Sequence, residues 1–329
     1  MMGSAARYSA LFFALAQFSV PGTEAAEAPK VVVTTKPIHS LVSRVMEGVG
    51  VPQLIVEGSA SPHTFTLKPS TARAIHDADV FVRVSDQLEP FTRKIVGSLP
   101  ANVTVLTLAG ADGVKLLDRR KGGAFEKHEH GHEEAATEAA AHSRAADEHD
   151  DDHDEDGKDG HIWLDPQNAK AIAADVAKVL EARYPEQAEK IKANTASLIA
   201  DIDALDSELT TELNGSKGKP FIVFHDATQY FENHFGQSAA GSITVSPDVP
   251  PSAKRLTEVR RKLSSLGAVC VFTEPSFQPN LVAAVTEGTH ARSGTIDAEG
   301  QMLAPGPGLY FELMRGLAHN VASCLNGKE

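Results

Sequence analysis

Three histidines stand where an α/β chain places its ligand-binding groups, at the ends of short apolar runs or in the loops that leave them: His63, His161 and His225. His63 lies in the small-residue loop Gly58-Ser59-Ala60-Ser61-Pro62-His63-Thr64, His161 opens His161-Ile162-Trp163-Leu164-Asp165-Pro166, and His225 follows Phe221–Phe224 with Asp226 beside it. One histidine alone is more often structural than ligating, but three at equivalent places form a set. Two carboxylates, Glu274 before Pro275 and Asp297 after Thr295-Ile296, occupy comparable positions. Three imidazoles with one oxygen, from Asp297 or from water, suit tetrahedral zinc, whereas two imidazoles and two carboxylates lean toward manganese or iron. Glu274 is read as structural, since a residue before proline caps or pairs locally. His39, His76, His234, His290 and His319 have no partner pattern, and their expected role is structural or at the surface.

A second metal-binding feature has a different character. From Glu126 to Asp159 the chain holds six histidines (His128, His130, His132, His142, His149, His153) among fourteen Asp or Glu and only three cations. Apart from alanine there is almost nothing apolar to offset ordering entropy, so the tract reads as a solvated loop. Imidazoles among carboxylates bind divalent transition metals weakly and with little geometric discrimination. His128-Glu129-His130-Gly131-His132 matches the H-E-x-x-H pattern formally, but that motif needs a rigid helix, and here a glycine interrupts a low-complexity acidic run.

This tract also accounts for most of the net charge of −13, leaving the rest of the chain nearly neutral. No basic stripe remains to meet phosphates, which excludes nucleic acid as a partner. Arg7, the apolar run Ala10–Val20 and small residues around Ala25 read as a secretory signal peptide over residues 1–25, too short in its apolar part for the ~20 residues of a spanning helix. The mature protein is expected to be soluble and monomeric. Cys270 and Cys324 are the only cysteines, and an even pair in an exported chain is a candidate disulfide, with two separate buried thiols as the alternative.

The elements that must position these groups alternate. β-branched runs at Val31–Thr35, Gln53–Val56, Val80–Val84 and Val103–Leu108 are separated by segments of helical spacing, among them Ser70–Asp77 and Leu88–Leu99. A second series follows at Phe221–Phe224, Ile243–Val245, Val269–Thr273 and Thr295-Ile296, with helices expected over Ala253–Leu266, Asn280–Glu287 and Gly308–Ala322. Between the series, Ile191, Thr195, Leu198, Ile202, Leu205 and Leu209 recur in steps of three and four, which predicts one long helix. The expected architecture is α/β: an N-terminal lobe over residues 29–184 that carries the 126–159 loop, a connecting helix over 185–214 and a C-terminal lobe over 215–329.

Several of these stretches together resemble the ZnuA-type zinc-binding proteins, the exported solute receptors of bacterial zinc ABC importers. They are Thr35-Lys36-Pro37-Ile38-His39-Ser40, Ser61-Pro62-His63-Thr64-Phe65-Thr66-Leu67-Lys68-Pro69-Ser70, His161–Pro166, Val223-Phe224-His225-Asp226-Ala227, Phe272-Thr273-Glu274-Pro275 and Gly294-Thr295-Ile296-Asp297. The resemblance covers essentially the whole mature chain. It implies two lobes joined by the long helix, Zn(II) as transported ligand held in the cleft by His63, His161 and His225, the acidic histidine tract as a loop, and a membrane permease as partner. Some members place glutamate before the first ligand histidine, where this chain has Pro62, so the fourth ligand stays open between Asp297 and water. Members specific for manganese or iron usually have glutamate at the position of His225. The Cys270–Cys324 pair resembles a disulfide of some zinc members.

Three other functions compete with a zinc receptor: a manganese or iron receptor of the same fold, a zinc hydrolase, and a structural adhesin. A hydrolase needs a general base beside metal-bound water, and Glu274 is the one candidate. An adhesin would call for surface-attachment signals, which the sequence does not display.

Overall fold

The run Val31–Val33 is β-branched throughout and buried at every position, the pattern of a strand covered on both faces, and it forms β1. The computed structural model describes residues 28–120, 125, 157–244, 251–267, 269–275, 283 and 285–327. In the N-terminal lobe β1 lies beside β2 (Gln53–Leu54) and β3 (Val80–Arg83), with β4 (Thr104–Thr107) outermost, in the order β2-β1-β3-β4. In the C-terminal lobe β5 (Phe221–His225), β6 (Ala239–Thr244), β7 (Cys270–Thr273) and β8 (Arg292–Thr295) take the order β6-β5-β7-β8. Every pairing in both sheets is parallel. The two sheets thus share one strand order, a repeat the sequence does not show by eye. In such sheets ligands bind beyond the C-terminal strand ends, at the switch point where the order reverses. That point falls between β5 and β7, whose ends deliver His225 and Glu274.

Helices α1 (Lys36–Val45), α2 (Pro69–His76) and α3 (Arg93–Val96) belong to the first lobe, α4 (Pro166–Arg183) follows the tract, and α5 (Ala188–Leu213) is the long connector. Helices α6 (Gln229–Phe235), α7 (Ala253–Leu266) and α8 (Leu309–Asn326) belong to the second lobe. With 26 residues, α5 is about 40 Å long, and 3-10 turns extend it at Pro185–Gln187 and Asn214–Ser216. Its predicted stripe is buried along its whole length and faces α1, α4 and α8 of the same chain. One apolar cluster runs through both lobes, from Val31 through the α5 stripe to Leu325.

Four elements differ from the sequence reading. The helix expected over Leu88–Leu99 is a 3-10 turn at Pro90–Thr92 followed by the short α3. Pro90 has no N–H to continue a helix, and the buried Glu89 carboxylate accepts from the Val84 and Ser85 amides at 2.7 and 3.1 Å, which commits this stretch to a turn. Strand β2 ends at Leu54, although Ile55 and Val56 still donate to Val33 and Thr34 at 2.9 Å. Strand β6 starts at Ala239, its small residues giving no β signal, and β8 lies at the sheet edge with the polar sequence Arg-Ser-Gly-Thr. The signal peptide, the six tract histidines, Val245 and half of Asn280–Glu287 lie outside the described residues. Among the described residues no helix is long and apolar enough to cross a membrane.

Cys270 on β7 and Cys324 on α8 form a disulfide. Hydrogen bonds also join the lobes. Lys36 Nζ donates to the carbonyls of Gly300, Gln301 and Leu303 at 3.1, 2.8 and 3.0 Å. Trp163 Nε1 donates to Ala298 O at 2.9 Å, and Tyr310 N donates to Ser40 Oγ at 3.0 Å.

Candidate metal centre

The chain delivers each histidine by a different device. Thr64 to Lys68 leave the loop after β2 for α2, and His63 sits in that loop with its amide donating to Ser61 Oγ at 3.3 Å. His161 precedes the 3-10 turn Ile162–Leu164, whose apolar side chains are fully buried and anchor the turn. His225 is the last residue of β5. The rings converge from both lobes, with centroids 5.4 Å apart for His63–His161, 5.3 Å for His63–His225 and 5.1 Å for His161–His225. One ring nitrogen from each lies within 4.8 Å of the others, and His63 Nε2 to His161 Nε2 is 3.4 Å. His161 and His225 are buried and His63 is partly so.

Carboxylates surround the rings. Asp159 Oδ1 accepts from His161 Nδ1 at 2.7 Å and from the His161 amide at 3.0 Å. Glu274 Oε1 lies 3.4 Å from His225 Nδ1, both groups buried. A proton on His161 Nδ1 facing Asp159 leaves its Nε2 with the lone pair turned toward His63, the orientation that outer carboxylates impose on ligating histidines. Glu299 Oε1 lies 3.6 Å from His63 Nε2, and Gln301 Nε2 donates to Glu299 at 2.9 Å. Burial, reinforced by the positive charge of the neighbouring His225, His161 and Arg119, holds His63 well below its ordinary pKa. Burial would also lower His225, but Glu274 beside it, with Glu299 and Asp226, outweighs burial and raises it. Burial pushes the Glu299 carboxyl up to about 7 against the hydrogen bond from Gln301.

Asp297, left open with water as the alternative for the fourth position, makes two backbone contacts. Its two oxygens accept from the amides of Gln301 at 2.8 Å and Met302 at 2.9 Å, which closes the loop that carries Glu299. Glu299 gave no signal in the sequence beyond its place two residues after Asp297. Glu274, read as structural, stands against His225. Asp159 was assigned to the solvated tract, but it is only 4% exposed. The tract's last residues zip onto the segment before the tract: Asp159 N donates to Leu117 O at 2.9 Å and Arg119 N to Gly157 O at 2.7 Å. Tyr230 clamps both strands of this stem, accepting from Leu117 N at 3.0 Å and donating to Asp159 O at 2.8 Å. Arg120, in the same stem, pairs with Asp226 and Glu232 in the other lobe. His39 is structural, with Nε2 3.0 Å from Pro52 O, and His234 lies between Asp165 at 3.1 Å and Asp206 at 2.7 Å.

The sequence model of the family described as "Zinc-uptake complex component A periplasmic", ZnuA, matches residues 31–324. The chain belongs to the ZnuA family. Its relatives include the high-affinity zinc uptake system protein ZnuA of Brucella suis, 50% identical over 311 residues that cover 92% of this chain and 93% of that protein. ZnuA of Paracoccus denitrificans is 41% identical over 327 residues, covering 97% and 98%. Among solved structures, a ZnuA crystal structure superposes with a TM-score of 0.71 at 20% identity, covering 91% of this chain and all of that one, which shows the same fold. The laminin-binding protein Lmb of Streptococcus agalactiae, described as a bifunctional adhesin and metal transporter, reaches 0.71 at 22% identity, covering 90% and 98%, and likewise shows the fold. ZnuA proteins form a solute-binding transport family rather than an enzyme family, and the Cys270–Cys324 disulfide is part of this member.

Proposed function

We propose that the chain is an exported receptor that captures Zn(II) between His63, His161 and His225 and hands it to the membrane permease of an ABC importer. The observation that carries this reading is the convergence of three imidazoles from both lobes on one point at the sheet ends. Imidazole donors suit zinc, whereas manganese and magnesium prefer oxygen, so three nitrogens favour zinc over manganese. The relatives named as zinc uptake proteins point the same way, and their periplasmic description accords with the expected signal peptide.

Metal analysis of protein purified from its native compartment, followed by competition between Zn²⁺ and Mn²⁺, tests the reading. The expected result is one tightly held zinc that manganese fails to displace, and severe loss of that site in His63→Ala, His161→Ala and His225→Ala. A native protein loaded with manganese, or a tight zinc site that survives all three substitutions, would overturn it.

A further inference from the structure

The stem of the histidine tract belongs to the first lobe, yet side chains of the second lobe hold it. Tyr230 on α6 is 1% exposed and commits its hydroxyl wholly to the stem, accepting from Leu117 N at 3.0 Å and donating to Asp159 O at 2.8 Å. Beside it, Gln229 Nε2 donates to Asp118 O at 3.1 Å. Arg120 spreads its guanidinium over two carboxylates: Nε donates to both oxygens of Asp226 at 3.1 and 3.2 Å, and the two terminal nitrogens donate to Glu232 at 2.6 and 2.9 Å. A loop that only had to leave the surface and rejoin it would not call for a guanidinium desolvated between two carboxylates.

These contacts join two of the site's histidines across the cleft. Tyr230 grips the backbone of Asp159, whose side chain grips His161. The ladder between the two strands of the stem leads on to Arg120, and Arg120 holds Asp226, the residue after His225. We propose that the stem is a strap between the lobes, in which Tyr230 and Arg120 are positioning residues that hold His161 and His225 against each other, ring centroids 5.1 Å apart. This rests on the three-histidine reading above. Apolar packing brings the lobes together, but a ligand set must be fixed to within about 0.5 Å, and directional hydrogen bonds supply that last adjustment. Coupling is reciprocal, so a strap that favours the zinc-binding arrangement is itself tightened by zinc.

The test compares Tyr230→Phe, Arg120→Lys and the native full chain, loaded with Zn²⁺ for affinity and with Co²⁺ for its visible coordination bands. Tyr230→Phe keeps the ring and loses both hydrogen bonds, and is expected to weaken Zn²⁺ by about 3–10-fold, the scale of one net hydrogen bond, and to shift the Co²⁺ bands. Arg120→Lys keeps the charge without the planar fork and is expected to shift them too. A role in stability alone would lower the melting temperature of the metal-free variants and leave the bands unchanged, so native bands in both folded variants overturn the proposal. Retention of tight Zn²⁺ in His161→Ala and His225→Ala would sink the three-histidine site itself, whereas its loss there beside native behaviour in Tyr230→Phe and Arg120→Lys sinks the strap alone. Hydrogen exchange on the native chain depends on neither strap variant folding. One equivalent of Zn²⁺ is expected to slow the Arg119 and Asp159 amides, and to leave them unchanged in His63→Ala, which keeps the tract. Unaltered exchange in the native chain, or equal slowing in His63→Ala, overturns the strap.

Discussion

Replacing Asp159 by asparagine changes one oxygen to nitrogen and leaves the three histidines of the proposed site in place. In the native chain Asp159 Oδ1 takes both the Nδ1 proton and the backbone amide of His161, at 2.7 and 3.0 Å, with both side chains almost fully buried. The carboxylate orients the ring and fixes which nitrogen carries the proton. Asparagine can still accept through its amide oxygen but brings no charge, and its NH₂ would occupy the place of Oδ2, a buried atom without a hydrogen-bond partner. Loss of an outer carboxylate on a ligating histidine costs about 10–100-fold in metal affinity, or about 1.4–2.7 kcal/mol. Asp159→Asn should therefore lie within that range, and Asp159→Ala at or beyond its upper end. The assay is chelator competition for Zn²⁺ at neutral pH, paired with thermal melts of the metal-free proteins so that unfolding is read separately. Both variants folding and binding zinc within about threefold of the native chain would refute the reasoning, since the window begins at tenfold.

Three further outcomes follow from other parts of the molecule. The disulfide spans 54 residues of sequence, so Cys270→Ala with Cys324→Ala should lower unfolding stability by about 4 kcal/mol in urea titrations, and a change below about 1 kcal/mol would contradict the chain-entropy account. Removing residues 126–156, and stopping short of Gly157 to spare the stem, should leave one tight zinc event in calorimetry and abolish weaker ones; equal stoichiometry in both proteins would refute the tract as a collector. Burial alone would lower His234, but its hydrogen bonds to Asp165 and Asp206 outweigh burial and raise it above 6.5. Its imidazolium thus contributes stability fully below about pH 6.5 and loses it as pH rises through the raised folded value. His234→Gln should cost on the order of 1–2 kcal/mol at pH 5.5 and clearly less at pH 9, measured by denaturant unfolding, and a pH-independent loss would refute the charged pairing.

The α5 stripe and the three histidines were legible because each follows from local chemistry: helical periodicity in one case, polar side chains at the ends of apolar runs in the other. The short α3 and the early start of β6 were not, since the turn at Pro90 depends on the buried Glu89 carboxylate and β6 opens with alanine, glycine and serine that pair only because β5 is beside them. Composition placed Asp159 in the acidic tract because it averages over a window. The backbone ladder to Leu117 and the Tyr230 hydroxyl act on single residues and pull this one out of solvent. Glu299 was hidden for a related reason: nothing in Ala298-Glu299-Gly300-Gln301 marks which carboxylate turns inward, and the choice is made by Lys36 and Trp163 from the other end of the chain.

The apolar cluster shared by both lobes has a consequence for unloading. A jaw that swings wide would have to part α1 from α8 and strip both from α5, exposing side chains such as Ile38, Leu313 and Leu198 that are almost fully hidden from water. That route is closed on energetic grounds. The rim is a different matter, for His63 rides on the loop Gly58–Thr64, much of which is exposed. Cargo leaves such a vessel by lifting the latch at its mouth, and the work of lifting it falls to whatever docks there.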